Sequence, residues 1–70
     1  MKVYFKNSKG ERIFVGEAND VNSGVNVALD DLKVRAPHFK SYYQRVWQDD
    51  NGDWWVDVSD HICFYIITVD

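Results

Sequence analysis

The feature that most constrains the fold is an aromatic stretch at residues 39–55, built around a turn. The segment 49–53, of sequence DDNGD, is rich in turn-forming residues, and Asn51-Gly52 is a frequent dipeptide of tight β-hairpin turns. Aromatic side chains carry large apolar areas, so a hairpin rich in them forms either a core or a contact surface. In a chain of 70 residues it is expected to do both. The bulky residues that flank the turn are Tyr42, Tyr43, Trp47, Trp54 and Trp55.

Short apolar runs predict five strands. Lys2–Lys6 and Glu11–Glu17 each surround a short apolar centre, and residues 7–10 between them, of sequence NSKG, favour a hairpin turn. Phe39–Gln48 and Trp54–Ser59 form the second predicted hairpin. The last predicted strand, Ile62–Val69, has almost no polar alternation, which indicates that both of its faces are covered.

A change of spacing at Val21 predicts one helix. Asp20 or Asn22 can cap its first N–H groups, and Pro37 forces Ala36 out of the helical region. Asp31 precedes Arg35 by four residues, a spacing that favours an ion pair on the helix surface. Val27 and Val34 lie opposite the apolar stripe and are expected to be exposed. The stripe itself consists of Val21, Val25, Ala28, Leu29, Leu32 and Ala36.

The predicted order ββαβββ gives an α+β fold, an antiparallel sheet of four or five strands with one helix packed on one face. Residues 1–70 form a single compact domain, because a chain of this length cannot divide its core. Strand alternation divides the apolar residues between the two faces of the sheet. The side toward the helix is expected to hold Val3, Phe5, Ile13, Val15, Trp54, Val56 and Val58.

The opposite side of the sheet is left without a helix. Alternation places Tyr4, Phe14 and Trp55 there, and Tyr43, Arg45 and Trp47, which share a face of their own strand, are candidates to join them. An uncovered apolar surface on a small protein indicates an oligomer contact or a binding site. A homodimer is therefore one expectation.

Composition limits the classes of function. The net charge is −3, which argues against a partner recognised mainly through its phosphates. Five acidic residues between Asp49 and Asp60 form a local acidic patch that would suit a basic protein surface. No apolar run reaches the length of a signal peptide or a membrane span. Cys63 is the single cysteine of the sequence, so no disulfide can form within the chain, and we expect a reducing, cytoplasmic location.

No constellation of catalytic or cofactor-binding residues is complete. His61 and Cys63 share a strand face, and with His38 they could seed a zinc site, although structural zinc needs four ligands. Acidic residues from Asp49 to Asp60 follow part of a calcium-loop spacing, but the glycine is displaced. Cys63 or Ser59 beside His61 lacks an orienting group and an oxyanion hole. We therefore expect no enzyme activity and no cofactor.

Single-stranded nucleic acid is the alternative partner. Aromatic residues on the open side of the sheet could stack with bases while Lys2, Lys6, Arg12 and Arg45 meet the phosphates. The negative net charge and the lack of an RNP-like motif argue against this interpretation.

The hairpin residues carry a resemblance to a known group of proteins. Residues 41–47 (SYYQRVW) and 51–57 (NGDWWVD), followed by Ser59-Asp60-His61, resemble the small accessory proteins of bacteriophages and prophages. These segments make up about a quarter of the chain. The resemblance implies a stoichiometric binder, in a class that includes anti-CRISPR and other anti-defence inhibitors. It transfers no functional residue.

The sequence thus favours a non-enzymatic protein-binding module. The resemblance implies a phage-encoded inhibitor in the host cytoplasm, with a host defence nuclease as its partner. A homodimer, single-stranded nucleic acid and a small zinc-binding protein stand as alternatives, and no membrane association is expected. The predicted binding residues are Tyr43, Arg45, Trp47, Asp49, Asp50, Asp53 and Trp55.

Overall fold

The computed structural model describes residues 1–37, 45–58 and 63–69. The described strands form one antiparallel five-stranded sheet in the order β2-β1-β5-β4-β3, with one helix on one face, which confirms the predicted α+β class. Positions 39–44, 59 and 62 of the predicted strands lie outside the described residues. The elements are β1 (Lys2–Lys6), β2 (Arg12–Glu17), α1 (Val21–Arg35), β3 (Arg45–Gln48), β4 (Trp54–Asp57) and β5 (Phe64–Thr68).

The β1–β2 hairpin closes through a loop organised by Asn7. Its carbonyl oxygen accepts a hydrogen bond from the N–H of Gly10 at 3.0 Å. Its side-chain Oδ1 accepts from the N–H groups of Lys9 and Glu11, both at 3.0 Å. Gly10 has a φ of +86°, a conformation that glycine adopts without the strain of a Cβ atom.

The β3–β4 hairpin uses the same loop design, with Asp49 in the place of Asn7. The Asp49 carbonyl accepts from Gly52 N–H at 3.1 Å, and its Oδ1 accepts from the N–H groups of Asn51 at 2.9 Å and Asp53 at 3.0 Å. Gly52 has a φ of +89°. The glycine therefore follows a turn whose central residues are Asp50 and Asn51, whereas the sequence pattern placed Asn51-Gly52 at the centre. Such a loop is a common hairpin closure.

The central strand β5 is covered on both sides, as its continuous apolar sequence predicts. Tyr65, Ile66 and Ile67 are each at most 1% exposed. Tyr65 and Ile67 belong to the core on the helix side, and Ile66, between them in sequence, points to the other face.

The helix begins and ends as the sequence predicts. Asp20 is the N-cap, and its Oδ1 accepts a hydrogen bond from Ser23 N–H at 2.7 Å. Ala36, before Pro37, has left the helical region with a φ of −140°, so α1 ends at Arg35.

The helix approaches the sheet most closely at Gly24 and Ala28, which are its buried residues. A Cβ atom on Gly24 would lie 2.7 Å from Ile67 Cδ1 and 3.0 Å from Ile67 Cγ1. Real Cβ atoms do not come this close to a neighbour, so glycine sets the distance between α1 and β5. No pattern in the sequence predicts this role of Gly24.

The core between α1 and the sheet matches the expected faces, with one correction. Ile13 pairs with Phe5 and so shares the helix side of the sheet as expected, although it is 41% exposed on the edge strand β2. Val27 was expected to be exposed, but it packs against the core, while Val34 is exposed as expected. The strand β2 contains a bulge, since Val3 pairs with Gly16 and Tyr4 with Phe14. The buried core consists of Val3, Ala28, Val56, Val58, Tyr65 and Ile67.

A polar contact ties the helix to the central strand. The Tyr65 hydroxyl donates a hydrogen bond to Asp31 Oδ2 at 2.6 Å, and Arg35 Nε donates to the same oxygen at 2.9 Å. Burial raises the pKa of the Asp31 carboxyl, but the hydrogen bonds from Arg35 and Tyr65 and the charge of Arg35 hold it below its usual value. The predicted Asp31–Arg35 pair is confirmed, and Tyr65 is its unpredicted third member.

Candidate functional site

The side of the sheet away from α1 carries a row of large apolar residues that crosses all five strands. The register pairs Phe14 with Tyr4, Tyr4 with Ile66, Ile66 with Trp55, and Trp55 with Trp47. Cross-strand partners share a face, and these residues alternate with side chains that point to the helix. We call these five residues, together with Phe64, the aromatic face.

The rings of the aromatic face pack against one another. Trp47 and Trp55 are stacked with ring centroids 6.2 Å apart and planes 18° from parallel. Phe64 meets both indoles edge-on, at 6.0 Å from Trp47 and 5.6 Å from Trp55. At the other end of the row, Tyr4 and Phe14 form an edge-to-face pair at 5.7 Å. These are favourable ring geometries, so the side chains support one another on the sheet.

The aromatic face remains accessible among the described residues. Phe14 is 55% exposed, and Tyr4, Trp47, Trp55 and Phe64 are partly exposed. Ile66, at the middle of the row, is fully buried. Of the elements described, α1 alone packs across the sheet, and it covers the opposite side.

A second row of side chains borders the aromatic row on the same face. Lys6 pairs with Arg12 on one side and with Phe64 on the other, and Asp57 pairs with Phe64 and Arg45. Asp57 is buried, at 2% exposed. We call Lys6, Arg12 and Arg45 the cationic rim.

Two cations of the rim, Lys6 and Arg45, lie over ring faces. Lys6 Nζ lies 5.9 Å from the Trp55 ring centroid and 5.8 Å from that of Phe64. Arg45 Cζ lies 5.2 Å from the Trp47 centroid. Cations at this distance are attracted by the ring electrons. Within the described ranges, the salt bridge found is that of Arg35 with Asp31, on the helix.

The loop residue Asp49 holds one indole of the aromatic face. While its Oδ1 organises the turn, its Oδ2 accepts a hydrogen bond from Trp55 Nε1 at 2.7 Å. The hydrogen bond from Trp55 lowers the pKa of the Asp49 carboxyl, and the backbone N–H groups of the loop add to this effect. The carboxylate therefore stays charged at neutral pH and positions the Trp55 ring.

The predicted binding residues separate into two groups. Arg45, Trp47 and Trp55 come together on the aromatic face and its rim. Asp49, Asp50 and Asp53 lie in the β3–β4 hairpin loop, on the side of the aromatic row opposite the cationic rim, with Asp50 exposed and Asp53 partly buried. Tyr43 lies outside the described residues.

Sequence reasoning named Lys6 for this side of the sheet but missed two members of the aromatic face, Phe64 and Ile66. The predicted β5 strand had both faces covered, so it offered no reason to place Phe64 beside the tryptophans. Their place on this face follows from the β1–β5 and β4–β5 register, which pairs Phe64 with Lys6 and with Asp57. A hydrophobic pattern within one strand does not contain that register.

Other kinds of site find little support in the described part of the chain. No group of three or more metal-ligating side chains occurs there, and His38 and His61 of the predicted zinc site lie outside it. Cys63 lines an apolar cavity of about 150 Å³ with Phe5, Leu32 and Tyr65. No helix in residues 1–37, 45–58 and 63–69 is long and apolar enough to cross a bilayer.

Comparison with known proteins gives no relative from which to transfer a function. The chain matches no protein-family model, no curated protein and no solved structure.

Proposed function

We propose that this protein is a non-enzymatic binding module that docks a partner protein on its aromatic face. One observation carries the proposal: five large apolar side chains form a continuous row across the sheet on the side that α1 does not cover. Apolar patches of this kind on small proteins are commonly contact sites.

The composition of the surface suits a protein interface. Such interfaces have an apolar centre enriched in aromatic residues and arginine, surrounded by a polar rim. Here Trp47, Trp55 and Phe64 supply the centre, Arg45 lies over one of the indoles, and Lys6 borders two rings. Tryptophan and arginine are also the residues most often found to dominate binding energy. The ring contacts fix these side chains before a partner arrives, which reduces the entropy lost on binding.

The specific form of the proposal is inhibition of a host defence nuclease by a phage-encoded protein. It rests on the resemblance of the hairpin residues to phage accessory proteins. An inhibitor of this type needs affinity and shape but no catalytic group, in keeping with a surface built from rings and cations.

Affinity capture from nuclease-treated bacterial lysate tests the proposal. The wild type is compared with Trp47→Ala/Trp55→Ala, which removes the stacked indoles, and with Val34→Ala, which trims an exposed side chain on the helix. Melting curves establish that each variant is folded. The expected result is a discrete protein retained by wild type and Val34→Ala, lost with the double variant, and bound directly when purified. Equal retention by all three would contradict the proposal, as would recovery of a second copy alone.

Single-stranded nucleic acid is the second candidate. The observation that favours it is the placement of Lys6, Arg12 and Arg45 beside the rings, as in proteins that stack bases and contact phosphates. The net charge of −3 and the acidic loop beyond Trp47 oppose it. Salt separates the two candidates, since binding through several phosphates weakens steeply as salt rises and an aromatic-anchored protein contact weakens much less.

A further inference from the structure

The side of the sheet with the aromatic face carries more positive than negative charge, although the chain as a whole is acidic, with a net charge of −3. The strand residues on this side of the sheet include two carboxylates, Glu17 and Asp57. They also include four cations, Lys2, Lys6, Arg12 and Arg45. One of these carboxylates, Asp57, is only 2% exposed. Much of the positive charge is thus gathered on the face that α1 leaves open.

Among the residues that the structure describes, no carboxylate forms a salt bridge with the cationic rim. Lys6 and Arg45 contact ring faces, and none of the three rim cations takes part in an ion pair within the described residues. A cation held over a ring keeps its charge and its outward N–H donors for another group.

We propose that the partner binds through an acidic segment, with apolar side chains on the aromatic row and carboxylates on Lys6, Arg12 and Arg45. This inference rests on the proposed function and names the chemistry of its partner. Charge complementarity across an interface increases the association rate and rejects partners of the wrong charge. The acidic loop lies on the far side of the aromatic row from the rim, so the segment's carboxylates meet the rim and avoid Asp49 and Asp50.

The dimensions fit a short extended segment. Neighbouring strands lie about 4.8 Å apart, so a row across five strands is about 19 Å long. At about 3.3 Å per residue, roughly six extended residues cover that distance. The rim residues lie two positions along their strands from the row, about 7 Å away, which is within reach of a glutamate side chain.

A protein segment fits the rings better than a run of bases. Trp47 and Trp55 face each other at 6.2 Å, and Phe64 meets both, so one face of each indole is already occupied. Stacking of successive bases needs open ring faces. Aliphatic and aromatic side chains can instead pack on the edges and outer faces that remain.

The test uses indole N–H resonances in two-dimensional NMR of the full chain. Trp47 and Trp55 lie on the aromatic face, and Trp54 packs on the helix side and serves as an internal reference. The probes are random copolymers of Glu and Tyr and of Lys and Tyr, with oligothymidylate of about 16 nucleotides as the nucleic-acid probe. Copolymers present many local sequences, so the test does not depend on one exact motif.

The expected result is that the Glu–Tyr copolymer shifts the Trp47 and Trp55 resonances and leaves Trp54 in place. The Lys–Tyr copolymer is expected to bind about tenfold more weakly or not at all. No shift with the Glu–Tyr copolymer, or equal shifts with both copolymers, would overturn the inference. Binding of oligothymidylate in preference to the Glu–Tyr copolymer would overturn it in favour of nucleic acid.

Charge variants locate the contact. Lys6→Glu and Arg45→Glu are each expected to weaken binding of the Glu–Tyr copolymer about fivefold, whereas Lys33→Glu, the same charge change on the exposed helix surface, leaves it unchanged. Lys6→Gln removes the charge without placing a carboxylate over the rings, so it should weaken copolymer binding less than Lys6→Glu does. It also provides a folded variant should Lys6→Glu fail to fold. Equal affinity of Lys6→Glu and Lys33→Glu would overturn the inference. If a captured lysate protein depends on Trp47 and Trp55 while these charge tests fail, the proposed function stands and the acidic partner does not.

Discussion

At the scale of single residues, Asn7 and Asp49 show how one loop design serves two purposes. Both organise a hairpin loop by accepting the N–H groups two and four residues further on. Asp49 has a second carboxylate oxygen, and this one accepts the Trp55 indole. The β3–β4 loop thereby positions a side chain of the aromatic face as well as closing its hairpin.

The exchange Asp49→Asn is expected to separate these purposes. Asparagine keeps one oxygen for the loop, as Asn7 does, but it presents an amide donor where Trp55 Nε1–H needs an acceptor. We expect the hairpin to remain, a lower Tm, and a shift of the Trp55 indole resonance with those of Trp47 and Trp54 little changed. The reverse exchange Asn7→Asp is the matched control, and it should leave all three indoles in place. An unchanged Trp55 resonance in Asp49→Asn would contradict this role.

Glycine at position 52 is the second residue whose role the structure defines. Its φ of +89° is strained for any residue with a Cβ atom, although the nearest side-chain atoms lie at 3.9 Å, an ordinary contact distance. Gly52→Val is therefore expected to lower the free energy of unfolding by about 1–3 kcal/mol through backbone strain alone. Gly10 has a φ of +86° and no atom within 4 Å of the position that a Cβ atom would take, so Gly10→Val should cause a similar loss of stability in denaturant unfolding. A neutral result at both positions would contradict the loop geometry.

At the scale of elements, the contact between α1 and β5 decides how the helix lies on the sheet. Gly24 allows α1 to approach β5 closely, and the Tyr65 hydroxyl donates a hydrogen bond to Asp31, two turns further along the helix. Each contact joins residues that are far apart in sequence.

Gly24→Ala is expected to destabilise the protein even though alanine is the better helix former. Helix propensity alone would stabilise by about 1 kcal/mol. The new Cβ, however, would lie within 3.1 Å of three Ile67 atoms, and because Ile67 is fully buried, a shift of its side chain would disturb the packing around it. Overpacking typically costs about 1–3 kcal/mol, so the net change should be a loss of stability. Asn26→Ala on the exposed helix surface is the control and should be neutral or stabilising. A higher midpoint for Gly24→Ala in urea would contradict the packing.

The Tyr65–Asp31 bond predicts an acid-sensitive contribution to stability. Because the pKa of Asp31 is lower in the folded than in the unfolded state, its contribution is full above the unfolded value near 3.8 and disappears as pH falls through the lower folded value. The Tyr65→Phe variant should have a free energy of unfolding about 1–2 kcal/mol lower than that of the wild type at pH 7. The loss should shrink when unfolding is measured near pH 2. A deficit that stays constant across this range would contradict the assignment.

What the sequence could predict was mostly local to one element. The bounds of β1, the Asp20 cap, the Asp31–Arg35 pair and the alternation of Trp54 and Trp55 depend on neighbours a few residues away. The bulge in β2 depends on how two strands pair, and the exposure of Ile13 depends on which strand lies at the edge of the sheet. The position of Phe64 beside Trp55 depends on a register between β4 and β5 that no local pattern specifies.

At the scale of the whole molecule, the two tryptophans at positions 54 and 55 distinguish the two sides of the sheet. Trp54 packs against the core, and Trp55 lies on the aromatic face. Trp54→Ala is expected to lower the free energy of unfolding by about 2–3 kcal/mol, somewhat less than for a fully buried tryptophan, because Trp54 is partly exposed. Trp55→Ala should cost less stability and reduce binding. Equal losses of stability in thermal unfolding would contradict the division of faces.

The division of faces also relates stability to function. In a 70-residue domain nearly every large apolar residue is needed for the core. This chain nevertheless places two tryptophans, two phenylalanines and a tyrosine on the side of the sheet away from its helix. The placement is accounted for if that side buries its apolar area against a partner.

We propose the aromatic face as the partner-binding surface, and two dissociation constants test this proposal. The lysate protein retained by the wild type is purified, and its affinity is measured by calorimetry for wild type and for folded Trp47→Ala/Trp55→Ala. We expect the double variant to bind about 100-fold more weakly or worse, because central tryptophans often dominate the binding energy of an interface. Equal affinities would show that the partner binds elsewhere and would contradict the account.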